Sequence, residues 1–107
     1  MNYRHILTYN FSDDDTRSSF VELIEGLGYI KAEDQSTYVL PYDSSTRLRN
    51  LISAIQIWIT GNNPDFVRGD FVQLFYLKTY KVLGSEQTIS KIASKYMPYN
   101  PLTKSLI

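Results

Sequence analysis

Cysteine is absent from this chain. That excludes disulfides, thiolate chemistry and cysteine-based zinc spacing, and it fits a reducing cytosol. Histidine occurs once, as His5, so one side chain alone has an unperturbed pKa near neutrality. His5 shares its strand face with Leu7 and Tyr9, which reads as a hydrogen-bonded core histidine. No apolar run approaches a membrane span, and no N-terminal segment resembles a signal peptide. A cytoplasmic protein with no membrane partner is therefore expected. A nucleophile elbow, a glycine-rich phosphate loop, internal repeats and low-complexity segments are all missing.

Net charge is missing too, with 11 basic and 11 acidic residues. A dedicated nucleic-acid binder is usually basic overall. The charge is nonetheless partitioned. Residues 1–70 hold six Lys/Arg against ten Asp/Glu, whereas residues 71–107 hold five Lys against one Glu. The second part can therefore meet phosphate.

What the chain does contain is enough for one core. Its 107 residues suit a single domain, and 43% are hydrophobic. Aromatics make up 14%, nine of them Tyr, as suits half-exposed sheet faces and interfaces. Residues 3–11 alternate as a strand, with Tyr3, His5, Leu7, Tyr9 and Phe11 on one face and Arg4, Ile6, Thr8 and Asn10 on the other. Ser12 reads as a helix N-cap, with Asp15 three residues on and Asp13 and Asp14 at the positive end of the dipole. Phe20, Leu23, Ile24 and Leu27 form an amphipathic stripe that Gly28 ends.

Two short strands follow around a turn at Asp34-Gln35. A second helix, capped by Asp43, Ser44 or Ser45, buries Leu48, Leu51, Ile52, Ile55, Trp58 and Ile59. It stops at Gly61-Asn62-Asn63-Pro64. A long aromatic strand occupies residues 71–82. Ile89, Ile92, Ala93 and Tyr96 then recur at helical spacing. The order predicts an α+β ferredoxin-like βαββαβ sandwich, an antiparallel sheet with two helices on one face. It would span residues 1–84, with residues 85–107 a C-terminal appendage of short helix and extended tail. The uncovered sheet face points to a second copy of the chain.

Tyr9-Asn10-Phe11-Ser12-Asp13-Asp14-Asp15-Thr16-Arg17, with Gly28-Tyr29-Ile30-Lys31 and Gln35-Ser36-Thr37-Tyr38, carries a resemblance over roughly residues 3–82. The chain resembles the small CRISPR-associated adaptation proteins and the related virulence-associated protein D ribonucleases. The resemblance implies a ferredoxin-like homodimer and an integrase-like partner. It also implies that Asn10 stands where nuclease members carry a metal-binding Asp. Mg²⁺ favours carboxylate and water oxygens, and a neutral amide removes most of the Coulombic hold.

The expected function is a nucleic-acid-associated dimeric scaffold with reduced or lost metal-dependent nuclease activity. The alternatives are an oligomerisation or regulatory module without nucleic acid, and a Mg²⁺-dependent endoribonuclease of toxin–antitoxin type. Asp13 and Asp14 are weak substitute metal ligands, because consecutive helix residues point about 100° apart. Phosphate-contact candidates are Arg4, Arg17, Arg47, Arg49, Lys78 and Lys81, with Tyr76 and Tyr80 interleaved among the lysines as a stacking edge.

Overall fold

A computed structural model describes residues 3–33 and 36–106. The turn expected at Asp34-Gln35 lies outside the described residues. The elements are β1 (Tyr3–Asn10), α1 (Asp14–Gly26), β2 (Ile30–Lys31), β3 (Thr37–Pro41) and α2 (Leu48–Asn62). β4 (Phe71–Lys81), β5 (Thr88–Asn100) and β6 (Ser105–Leu106) complete the chain. The strands form one six-stranded sheet in the order β2-β3-β1-β4-β5-β6. Every neighbouring pair is antiparallel. The architecture is α+β and broadly compatible with a ferredoxin-like fold.

Period-2 alternation sorts the sheet into two faces. Leu7 lies opposite Leu74 and Tyr9 opposite Val72, and all four are buried. Phe20 and Ile24 of α1 and Leu51, Ile55 and Trp58 of α2 join them in one core. Both helices therefore cover that face. Rings bind the layers together: Phe20 lies 5.0 Å from Phe11 and 5.3 Å from both Tyr9 and Trp58 between centroids. Burying each large apolar side chain contributes about 1.5–3 kcal/mol. Trp58 also donates its indole N–H to Ser19 Oγ at 2.7 Å.

The helix boundaries differ from the sequence reading in two places. Asp13, not Ser12, caps α1, accepting from Thr16 N and Thr16 Oγ1, each at 2.9 Å. Ser12 is drawn off by Asp70, described below. The N-cap of α2 is Arg47, which makes no side-chain cap bond. Ser44 instead accepts from Thr46 N, and Thr46 Oγ1 donates to Leu27 O. The helix stops follow the expected chemistry. Gly28 has φ +98°, with Gly28 N bonded to Glu25 O and Tyr29 N to Ile24 O. That pattern is a Schellman motif, which needs a left-handed residue at this point. Asn63 ends α2 in the left-handed region.

The larger correction concerns the expected C-terminal appendage, where no helix forms among the described residues 85–106. Residues 88–100 are β5, paired with β4 along its whole length from Phe71↔Pro98 to Lys81↔Thr88. The turn between them is short, closed by Val82 N to Gln87 O at 2.9 Å, with Gly84 at φ +76°. An eleven-residue strand left unpaired would expose a long row of backbone donors and acceptors. Adding β5 satisfies that row, which the i, i+3 spacing of Ile89, Ile92 and Tyr96 does not disclose. Leu106 then finds its place within the chain, since β6 pairs with β5 and this side chain is buried, while Leu102 stays exposed.

Candidate functional site

The corner where β1 ends and α1 begins gathers Asn10, Asp13, Asp14 and Arg17. Asn10 is exposed and donates Nδ2–H to Gly69 O at 3.3 Å. Asp13 is held below the ordinary carboxylate range, first by the backbone N–H of Thr16 and then by its hydroxyl. Asp14 pairs with Arg17 at 2.9 Å. Arg17 also donates to Phe11 O from Nε at 3.3 Å and from Nη2 at 3.2 Å. Its guanidinium thus clamps its own loop.

Asp70 is the residue that the sequence reading missed. It is 1% exposed and stands at the entry to β4. Its carboxylate accepts from Ser12 N at 3.2 Å and from Val67 N at 3.0 Å, with Ser12 Oγ at 3.5 Å. Its carbonyl accepts from Tyr99 N at 2.8 Å. One acid therefore ties together the β1–α1 corner, the α2–β4 loop and the end of β5. The signal was a Gly-Asp step before a strand, which reads as ordinary turn chemistry.

This donor set does not fit a resident Mg²⁺ within one chain. Asn10 turns its amide donor toward a carbonyl, Asp13 serves Thr16, and Asp14 serves Arg17. Among the described residues, no three His, Cys, Asp or Glu side chains are placed to hold a metal ion. No family model, curated protein or solved structure matches this chain.

The cations sort into two groups. Arg4 donates to Thr46 O at 3.2 Å and lies 5.7 Å from the centre of the Tyr42 ring. Like Arg17, it is engaged by its own chain. Arg17 and Lys31 also rim a cleft of about 380 Å³ floored by Tyr9 and Tyr38. Burial pushes both phenols above their ordinary pKa. Arg47 and Arg49 are exposed at the start of α2, and Lys78 and Lys81 at the far end of β4. Ten residues of strand separate Phe71, beside Asn10, from Lys81, about 33 Å in all. The structure does not bring the lysines to the Asn10 corner. Nor is β4 an edge, since β5 covers it. Tyr76, Lys78 and Tyr80 share the helix-side face, with Lys78 Nζ 5.3 Å from the Tyr76 ring centre, while Lys81 points to the other side.

His5 is buried, with Nδ1 2.8 Å from the Tyr29 hydroxyl. Burial, aided by the Arg4 charge, lowers its pKa from 6.5 to about 4. It packs against Tyr29 and Tyr76 and reaches no open cleft.

The opposite sheet face is uncovered by helices. Ile30, Val39, Ile6 and Phe75 stand in register across four strands. Ile6, Phe75, Leu77 and Ile92 border a hollow of about 100 Å³, and Phe71 stacks beside Tyr96 at 5.6 Å. Arg4 also borders that hollow, and the other polar members of the face are Thr8, Thr37, Gln73 and Ser94.

Proposed function

We propose that this chain is a ferredoxin-like homodimer that serves as a nucleic-acid-associated scaffold. The strand order β2-β3-β1-β4, with both helices on one face, supports the ferredoxin-like assignment. The observation that carries the dimer is the apolar row Ile30–Val39–Ile6–Phe75 on the uncovered face. Exposed apolar patches of this kind mark interfaces. The row itself is uncharged, and the Arg4 guanidinium at its border is engaged by Thr46 O and Tyr42, so the face is suited to pairing with itself.

The resemblance to the CRISPR adaptation and virulence-associated protein D group supports the same arrangement, with an integrase-like protein as a further partner and a cytoplasmic setting. Asn10 then sits where a neutral amide replaces a metal-binding carboxylate, which favours a scaffold over a nuclease. The lysine-rich part of the chain supports contact with nucleic acid.

The test is sedimentation velocity on the full chain. A dimer is expected, and Ile6→Asp is expected to sediment as a folded monomer, because a buried unpaired carboxylate opposes pairing. A wild-type monomer at high concentration, or a dimer untouched by Ile6→Asp, would refute this interface.

A further inference from the structure

The last pair between β1 and β4 is His5↔Tyr76. Beyond it, β4 is bonded only to β5, so residues 77–92 form a free two-stranded ribbon. Five residues on each strand project it about 17 Å, and the turn extends it further. The chain's radius of gyration is 15.1 Å, against about 13 Å for a compact domain of this length. The burial pattern agrees: residues 78–81 of β4 and 88–92 of β5 are exposed throughout.

The ribbon carries a positive excess, with Lys78, Lys81 and Lys91 against Glu86 in its turn. Lys78 lies directly opposite Lys91, and Lys95 follows two residues further along the same face from Ala93. Like charges directly opposed across a strand pair are destabilising. Among the described residues, no carboxylate pairs with any of the three. The three ammonium groups are therefore open to an anionic partner. The other face offers the Thr79 and Ser90 hydroxyls, 3.4 Å apart. The ribbon is slender, with Lys78 and Lys91 on one face, Lys81 on the other, and Tyr80, Ile89 and Ile92 exposed between them. Such a cationic ribbon suits one kind of polyanion well, because the major groove of duplex DNA admits a two-stranded ribbon.

We propose that residues 77–92 enter the major groove of duplex DNA, with Lys78, Lys91 and Lys95 directed to phosphates. This rests on the nucleic-acid reading above and adds the element, the duplex and the groove. The ribbon meets the backbone rather than a base sequence, so binding is salt-dependent and sequence-tolerant.

Fluorescence anisotropy of a labelled duplex, titrated with the full chain over a salt series, tests it. Replacing the three lysines (Lys78→Gln, Lys91→Gln, Lys95→Gln) is expected to flatten the slope of log affinity against log salt by about 2–3. Lys91→Glu keeps the experiment independent of folding defects. It places an acid opposite Lys78, so it is expected to raise the melting temperature while weakening DNA binding. Duplex RNA, whose major groove is deep and narrow, is expected to bind more weakly. A triple variant with the wild-type slope would overturn the ribbon assignment while leaving the nucleic-acid reading to other cations. Equal affinity for duplex RNA would overturn groove entry. No binding of wild type at low salt, or tighter binding to polyglutamate than to DNA, would overturn both.

Discussion

At the scale of single residues, His5 is a titratable group strongly altered by its surroundings. Its pKa falls from 6.5 to about 4 because the ring is buried against Tyr29 and Tyr76. Between those values the unfolded chain binds a proton that the folded chain does not. Stability attributable to His5 is therefore complete above pH 6.5, declines as pH falls, and is flat below about 4. His5→Gln is expected to shrink the loss of urea midpoint between pH 7 and 4.5, and an unchanged loss would contradict this.

Asp70 makes a second residue-scale case. Asp70→Ala leaves the Ser12 and Val67 amides without partners and is expected to cost about 1–3 kcal/mol in chemical denaturation. Asp70→Asn keeps one acceptor oxygen and is expected to cost less. Neither group's role was equally visible in the sequence. The alternation around His5 disclosed its core position, whereas the partners of Asp70 lie 58 residues away at Ser12 and in its own loop.

At the scale of elements, backbone geometry fixes the sign of two glycine substitutions. Gly28 has φ +98° in the Schellman motif, so Gly28→Ala is strained even though its nearest side-chain neighbour would be 3.7 Å away. A loss of about 1 kcal/mol is expected. Gly26 is helical with open space around it, and Gly26→Ala is expected to gain up to about 0.5–1 kcal/mol. Opposite shifts in melting temperature would check both.

These stops were legible because they rest on local chemistry. So were β1, α1, α2 and β4, whose apolar periods are long and unbroken. β5 was not legible. Ile89, Ile92, Ala93 and Tyr96 satisfy a helical spacing, while the alternation that matters is set by register against β4, a non-local constraint. The clustering of Lys78, Lys91 and Lys95 follows from that register and so was hidden with it. The cap of α1 moved by one residue for a similar reason, since Asp70 takes the Ser12 amide from a distance.

At the scale of the whole molecule, the two proposed roles fall on two surfaces. The apolar face of the sheet is proposed to meet a second copy, and the projecting ribbon holds Lys78, Lys81 and Lys91 away from the acidic first part. A dimer joined through the sheet face would present two ribbons, one from each copy. The most direct measurement is sedimentation velocity of a labelled DNA duplex mixed with the chain at low salt. The expected result is a complex of two chains on one duplex, reduced to weak single-chain binding by Ile6→Asp. A wild-type complex of one chain per duplex, or no complex at all, would contradict the proposed scaffold.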